Sequence, residues 1–135
     1  MNAKEIQKVI NRLGEIILSI DYNNKDFPHI IVGEKVDVQA KLFWFNYNIS
    51  SEEVMVEMDC DGYRPAALIE LLVLWFIQNH DLQELRKQLW ILALGSSGWF
   101  ADDCFWVLKP EGLSSTCVGL SNHWSNNHCF LGIHK

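Results

Sequence analysis

With 135 residues, 49% of them hydrophobic and 21% charged, the chain has enough apolar material for one packed domain over 1–135 and no shift in composition that marks a second. Eleven basic against seventeen acidic residues leave a net charge of −6, which argues against a phosphate-tracking surface and so against nucleic-acid binding, because such surfaces cluster Lys and Arg. The opening Met1-Asn2-Ala3-Lys4-Glu5 has no basic segment leading into an apolar one, so no secretory signal is expected, and the four cysteines, at 60, 104, 117 and 129, lack a CxxC spacing and are expected as buried free thiols in a reducing cytoplasm.

Asn2 followed by Glu5 has the pattern of a capping box, and Ile6, Val9, Ile10, Leu13, Ile16, Ile17 and Ile20 recur at helical spacing, which predicts an amphipathic helix over residues 3–20. Asp21 to Asp26 reads as a polar loop closed by Phe27-Pro28, His29 to Val32 as a short strand, and Gly33-Glu34 as a turn. Val36 to Tyr47 is a long strand candidate with Phe43, Phe45 and Tyr47 on one face and Leu42 and Trp44 on the other, so both faces are expected to be covered, by core and by another element or subunit. Asn46 to Ser51 connects to a second, half-buried strand, with Val54, Val56 and Met58 on one side and Glu53, Glu57 and Asp59 on the other. The two strands are expected to pair antiparallel.

Asp59-Cys60-Asp61-Gly62 is rich in turn formers, and Pro65 suits the first position of a helix, where its missing N–H costs nothing. From Ala66 to Ile77 the only polar side chain is Glu70, without a visible partner, so this helix is apolar nearly all round and is expected to be central or covered by a partner. A membrane span needs ~20 apolar residues, and this run is shorter and carries a carboxylate. After Gln78-Asn79-His80, Asp81 with Glu84 predicts a second capping box, and Leu82, Leu85, Leu89 and Leu92 a helix ending near Gly95, with a strand over Trp90 to Leu94 as the alternative. Gly95 to Gly98 reads as a loop, Lys109 to Gly112 as a turn, and Phe105–Leu108, Ser115–Leu120 and Cys129–Ile133 as strands. Strands and helices without regular βα alternation indicate an α+β fold, a mainly antiparallel sheet packed against the N-terminal amphipathic helix and the central apolar helix.

Potential metal ligands gather in the tail: Cys104, Cys117, His123, His128, Cys129 and His134. His123 and His128 have the spacing of the histidine half of a zinc site, but no tight cysteine pair accompanies them, and no metal is assigned. Cys129 beside His128 does not make a nucleophile and base, because adjacent strand residues point to opposite faces. The carboxylate pairs Asp59/Asp61 and Asp102/Asp103 fall in loops where acids face water, and no phosphate-binding or nucleophile-elbow motif occurs, so no catalytic residue and no cofactor is assigned and the chain is not expected to be an enzyme. Six tryptophans are many for this length, and Trp44, Trp99 and Trp124 are the candidate partner-contact aromatics: Trp44 on a strand covered twice, Trp99 after a Gly/Ser loop, Trp124 among polar neighbours.

The stretch from Glu53 through the acidic turn to Pro65, and then Leu68 to Asp81, resembles the tail completion proteins, which are tail-terminator-like, of P2-like contractile-tailed phages. In that family a strand ends at an acidic turn with Asp and Gly, and an apolar helix follows; Leu74-Trp75-Phe76 and Asn79-His80-Asp81 stand at its centre and end. The resemblance covers residues 53–81 and implies a virion protein, made in the host cytoplasm, that forms an oligomeric ring at the end of the tail, joins the tube to the neck, and carries no catalytic residues. A small acidic inhibitor or immunity-type protein bound to a partner protein is the alternative, and a zinc protein or enzyme built on the tail is the third.

Overall fold

The computed structural model describes residues 1–22, 35–97, 104–118 and 122–135, with side chains at 96 and 97 left aside. The predicted strand His29–Val32, the Gly33-Glu34 turn, Phe27-Pro28, Trp99 and the Asp102/Asp103 pair lie outside the described residues.

The chain runs α1 (Ala3–Leu13), β1 (Glu15–Ile20), β2 (Val36–Trp44), α2 (Ser51–Cys60), β3 (Tyr63–Pro65), α3 (Leu68–Trp75), α4 (His80–Arg86), β4 (Trp90–Ser97), β5 (Cys104–Lys109), β6 (Gly112–Cys117) and β7 (His128–His134). The strands form one mixed sheet in the order β1-β2-β7-β4-β5-β6, with β3 also on β7; β4 and β7 run parallel and every other pair antiparallel. The fold is therefore α+β with a mostly antiparallel sheet, as expected from the sequence.

Two apolar clusters cover the two faces of this sheet. One joins Ile6, Val9 and Ile10 of α1, Leu71 and Leu74 of α3 and Leu82 and Leu85 of α4 to Leu18, Leu42, Ile91 and Leu131 of the strands. The other joins Val54 and Met58 of α2, with Ile49 and Trp124, to Phe43, Leu92, Val107 and Phe130. β2 ends at Trp44, short of the expected Tyr47; within it both faces are covered, with Leu42 and Trp44 in one cluster and Phe43 in the other, whereas Tyr47 lies past the strand and is 56% exposed.

Several elements differ from expectation, each for a local reason. The first helix ends at Leu13, because Gly14 takes φ 59°, ψ −135° and turns the chain. Glu15 to Ile20 then alternate exposed and buried, with Ile16, Leu18 and Ile20 inward and Ile17 52% exposed, so isoleucines that fit a helical period serve a strand. Residues 53–59, expected as a strand paired to β2, are helical: Ser50 Oγ accepts from the Glu53 N–H at 3.1 Å and Glu53 Oε1 from the Ser50 N–H at 3.2 Å, a complete capping box. Val54 and Met58, four residues apart, go inward. The strand that the phage resemblance places before the acidic turn is thus a helix here, and β2 pairs with β1 and β7 instead.

Pro65 does not open a helix but ends β3, and α3 starts at Leu68. The α4 cap is Asn79, whose Oδ1 accepts from the Leu82 N–H at 3.1 Å, not an Asp81–Glu84 box; Asp81 is held by Arg12 through bonds of 2.7 and 3.1 Å, which tie α1 to α4. The helix expected to reach Gly95 stops at Arg86, and Trp90 to Ser97 form β4, with Ile91 and Ala93 on one face and Leu92 and Leu94 on the other. Gly95 therefore lies in a strand, close against β3: an added Cβ would sit 2.7 Å from the Ala66 carbonyl oxygen. The expected strands Phe105–Leu108 and Cys129–Ile133 and the turn between β5 and β6 agree with the sequence, whereas the strand expected over Ser115–Leu120 runs three residues earlier, as Gly112–Cys117, with residues 119 and 120 outside the described residues. The cysteines are not all free thiols: Cys104 and Cys117 face each other across β5 and β6 and form a disulfide, while Cys60 is free and exposed and Cys129 free and buried. No helix among the described residues is long and apolar enough to cross a membrane.

Candidate functional site

The acidic residue of the apolar helix, Glu70, is fully buried, with partners three and six residues before it and a third, Tyr22, 48 residues away. Arg64 on β3 donates to both carboxylate oxygens at 2.5 and 3.0 Å, the Tyr22 hydroxyl donates at 2.5 Å, and the Ala67 N–H at 2.7 Å. Glu70 is thus not a lone carboxylate. Burial alone would push it up, but Arg64, Ala67 and Tyr22 together hold it below its ordinary value. Burial, and then the bond to Glu70, push Tyr22 up to about 12. A carboxylate whose oxygens are filled by four donors is a clamp fixing the start of α3 on β3, not a free acid or base.

An open cleft of about 550 Å³ is lined by Ile10, Asn11, Glu15, Lys41, Asp61, Tyr63 and His134. Its charged groups pair within the cleft. Lys41 Nζ pairs with Asp61 at 2.6 Å and lies 5.0 and 5.5 Å from the Phe43 and Tyr63 ring centres; the Tyr63 hydroxyl donates to Glu15 at 2.8 Å; His134 packs edge-on against Tyr63 at 5.1 Å. Burial, then Glu15, raise Tyr63 to about 12, which makes it a poor nucleophile at neutral pH.

The tail residues considered as metal ligands are not brought together. Cys104 and Cys117 are consumed by their disulfide; His123 is 3.9 Å from Glu53; His134 is in the cleft. His128 lies between the Trp90 and Trp124 rings, with Ser125 Oγ at 3.2 Å, and burial lowers its pKa. Cys129 points to the opposite face, where burial pushes its thiol up. No group of three or more His, Cys, Asp or Glu that could hold a metal ion occurs among the described residues.

Two of the three candidate partner-contact aromatics are interior. Trp44 is 8% exposed and donates its indole N–H to the Asn126 carbonyl at 2.8 Å; Trp124 is 3% exposed and donates to Ser51 Oγ at 2.8 Å. Each ring found its cover in distant parts of the chain, which local polarity did not reveal, and the third, Trp99, is outside the described residues.

The surface residues with partner-binding character are others. On α3, Leu71 and Leu74 point into the sheet, whereas Leu68, Leu72 and Phe76, four residues apart, form a stripe outside both core clusters. Leu68 and Leu72 are half-buried and Phe76 is 74% exposed, its ring stacked on Trp75. This stripe was legible as the all-round apolar pattern, and it carries no charge. Two grooves flank the end of β2. One, of about 230 Å³, is lined by Tyr47, Ile49 and Val56 with Glu52, Glu53 and Glu57 around them. The other, of about 780 Å³, runs between α1 and the β2 end and is lined by Lys4, Gln7, Lys8 and Asn11 with Trp44 and Asn46.

No protein-family model, no curated protein and no solved structure matches this chain.

Proposed function

We propose that this chain is an assembly protein without catalytic residues, which works by packing against other protein chains as a homo-oligomer. The observation that carries the reading is the apolar stripe Leu68, Leu72 and Phe76 on the outer side of α3. Fully covering a large exposed apolar side chain is worth about 1.5–3 kcal/mol, so a stripe that leaves Phe76 74% exposed beside half-buried Leu68 and Leu72 is suited to a partner. The buried carboxylate and the mutually paired cleft residues support the same view, since their polar groups hold the fold together.

Within that class the setting that residues 53–81 resemble is the tail of a contractile-tailed phage: a ring that completes or terminates the tail, joins tube to neck, is made in the host cytoplasm and is carried in the virion. The test is the mass of the protein in solution and its presence in purified particles. A strictly monomeric protein absent from virions contradicts the proposal.

The acidic groove beside Tyr47 and Val56 favours a second reading, a small acidic inhibitor or immunity-type protein that covers a basic functional surface of a partner protein. That reading requires a stable one-to-one complex with a toxin or defence enzyme that Glu57→Lys weakens.

A further inference from the structure

The two grooves at the end of β2 carry opposite charge. In one, Tyr47 is 56% and Val56 61% exposed, an apolar floor with Glu52, Glu53 and Glu57 at its rim. In the other, Lys4 and Lys8 project from the outer side of α1 beside Gln7 and Asn11. None of the ion pairs among the described residues uses Lys4, Lys8, Glu52 or Glu57. Each groove thus presents unneutralised charge next to apolar surface, and each is what the other lacks.

We infer that the occupant of the α2 groove is the α1 face of a second copy of this chain, with Lys4 and Lys8 of one copy set against Glu52 and Glu57 of the next; this rests on the assembly reading above. The arrangement has a direction. α1 belongs to the cluster on one face of the sheet and α2 to the cluster on the other, so a copy that offers α1 to one neighbour turns its α2 groove toward another. A contact of this kind is heterologous and repeats from copy to copy, closing into a ring or continuing as a filament according to the rotation between neighbours. Charge complementarity sets partner and register, while the aliphatic stems of the lysines, laid over Tyr47 and Val56, bring the apolar contact. It also offsets locally the repulsion between copies that each carry a net charge of −6.

The experiment is sedimentation equilibrium of the full chain over a concentration series for the wild type, Lys4→Glu/Lys8→Glu, Glu52→Lys/Glu57→Lys, and the variant that carries all four changes, with circular dichroism confirming that each is folded. Either charge reversal alone is expected to weaken self-association by about tenfold or more, as like charges then face each other. The four-fold variant, and an equimolar mixture of the two double variants, are expected to regain it, because both restore opposite charges across the contact. Recovery in the four-fold variant also separates a lost contact from a lost fold. Wild-type association in all variants overturns this inference and leaves the assembly reading in place on another face. A wild type that is monomeric at every concentration overturns both.

Discussion

Arg64→Ala is expected to destabilise the fold more than Glu70→Gln, although both cut the same ion pair, because the two changes leave different groups behind. None of the Glu70 side chain is exposed, whereas 41% of the Arg64 side chain is. Without Arg64, an ionised carboxylate stays buried with the Tyr22 hydroxyl and the Ala67 N–H as donors, and stranding a buried charge in this way costs about 3–5 kcal/mol. With Glu70→Gln the guanidinium is the group left over; it reaches water through its exposed part, so mismatched hydrogen bonds dominate, at about 1–3 kcal/mol. Urea unfolding at pH 7 measures both, and Arg64→Ala/Glu70→Leu should recover part of the Arg64→Ala loss by removing the stranded charge. The pH dependence adds a second check. In the wild type Glu70 is held below its ordinary 4.5, so its contribution is complete above that value and is lost as pH falls through the lowered one. In Arg64→Ala burial dominates and raises the carboxyl, so the penalty shrinks as pH falls from 7 toward about 4.5, and the gap to wild type narrows. A Glu70→Gln variant less stable than Arg64→Ala at pH 7, or a gap that stays constant with pH, refutes the argument.

Gly95→Ala would put a Cβ 2.7 and 2.8 Å from the Ala66 and Pro65 carbonyl oxygens, which are backbone atoms, and should cost about 2–3 kcal/mol in urea unfolding; a neutral result means β3 and β4 separate easily. Reducing the Cys104–Cys117 disulfide, which spans 13 residues, should lower stability by about 3 kcal/mol through the freed unfolded chain, read as unfolding with and without reductant. Phe76→Ser, at a side chain 74% exposed, should change the stability of the isolated chain by no more than about 0.5 kcal/mol while weakening association with other chains; a large loss of stability with unchanged association would show that the ring serves the chain's own fold.

The features legible in the sequence were those whose signal is local. The Asn2 cap, the strands around Phe105–Leu108 and Cys129–Ile133, the turn between β5 and β6 and the two covered faces at the end of β2 follow from residues within a few positions of one another. The misassigned elements carry patterns that satisfy two periods. Ile16 to Ile20 fit a helix and a strand alike, and Val54, Val56 and Met58 alternate like a strand while Val54 and Met58 also stand one helical turn apart; the Ser50–Glu53 capping box decides the second case. Leu89 and Leu92 extend the spacing of α4, yet the chain turns at Arg86 because Trp90 to Leu92 pair with β7 nearly forty residues on. Long-range pairing likewise hid the Tyr22 bond of the Glu70 clamp, from 48 residues away, and the cover of Trp124, whose indole bonds Ser51 73 residues away, whereas Arg64 and Ala67 lie within six residues of Glu70.

Packing against copies of itself is the proposed mode of action of this chain. Native mass spectrometry of the full chain over a concentration series tests it most directly. The expected spectrum holds a species of several times 15.6 kDa that dissociates on dilution or on charge reversal in α1 or α2, and a mass of 15.6 kDa at every concentration rules self-association out.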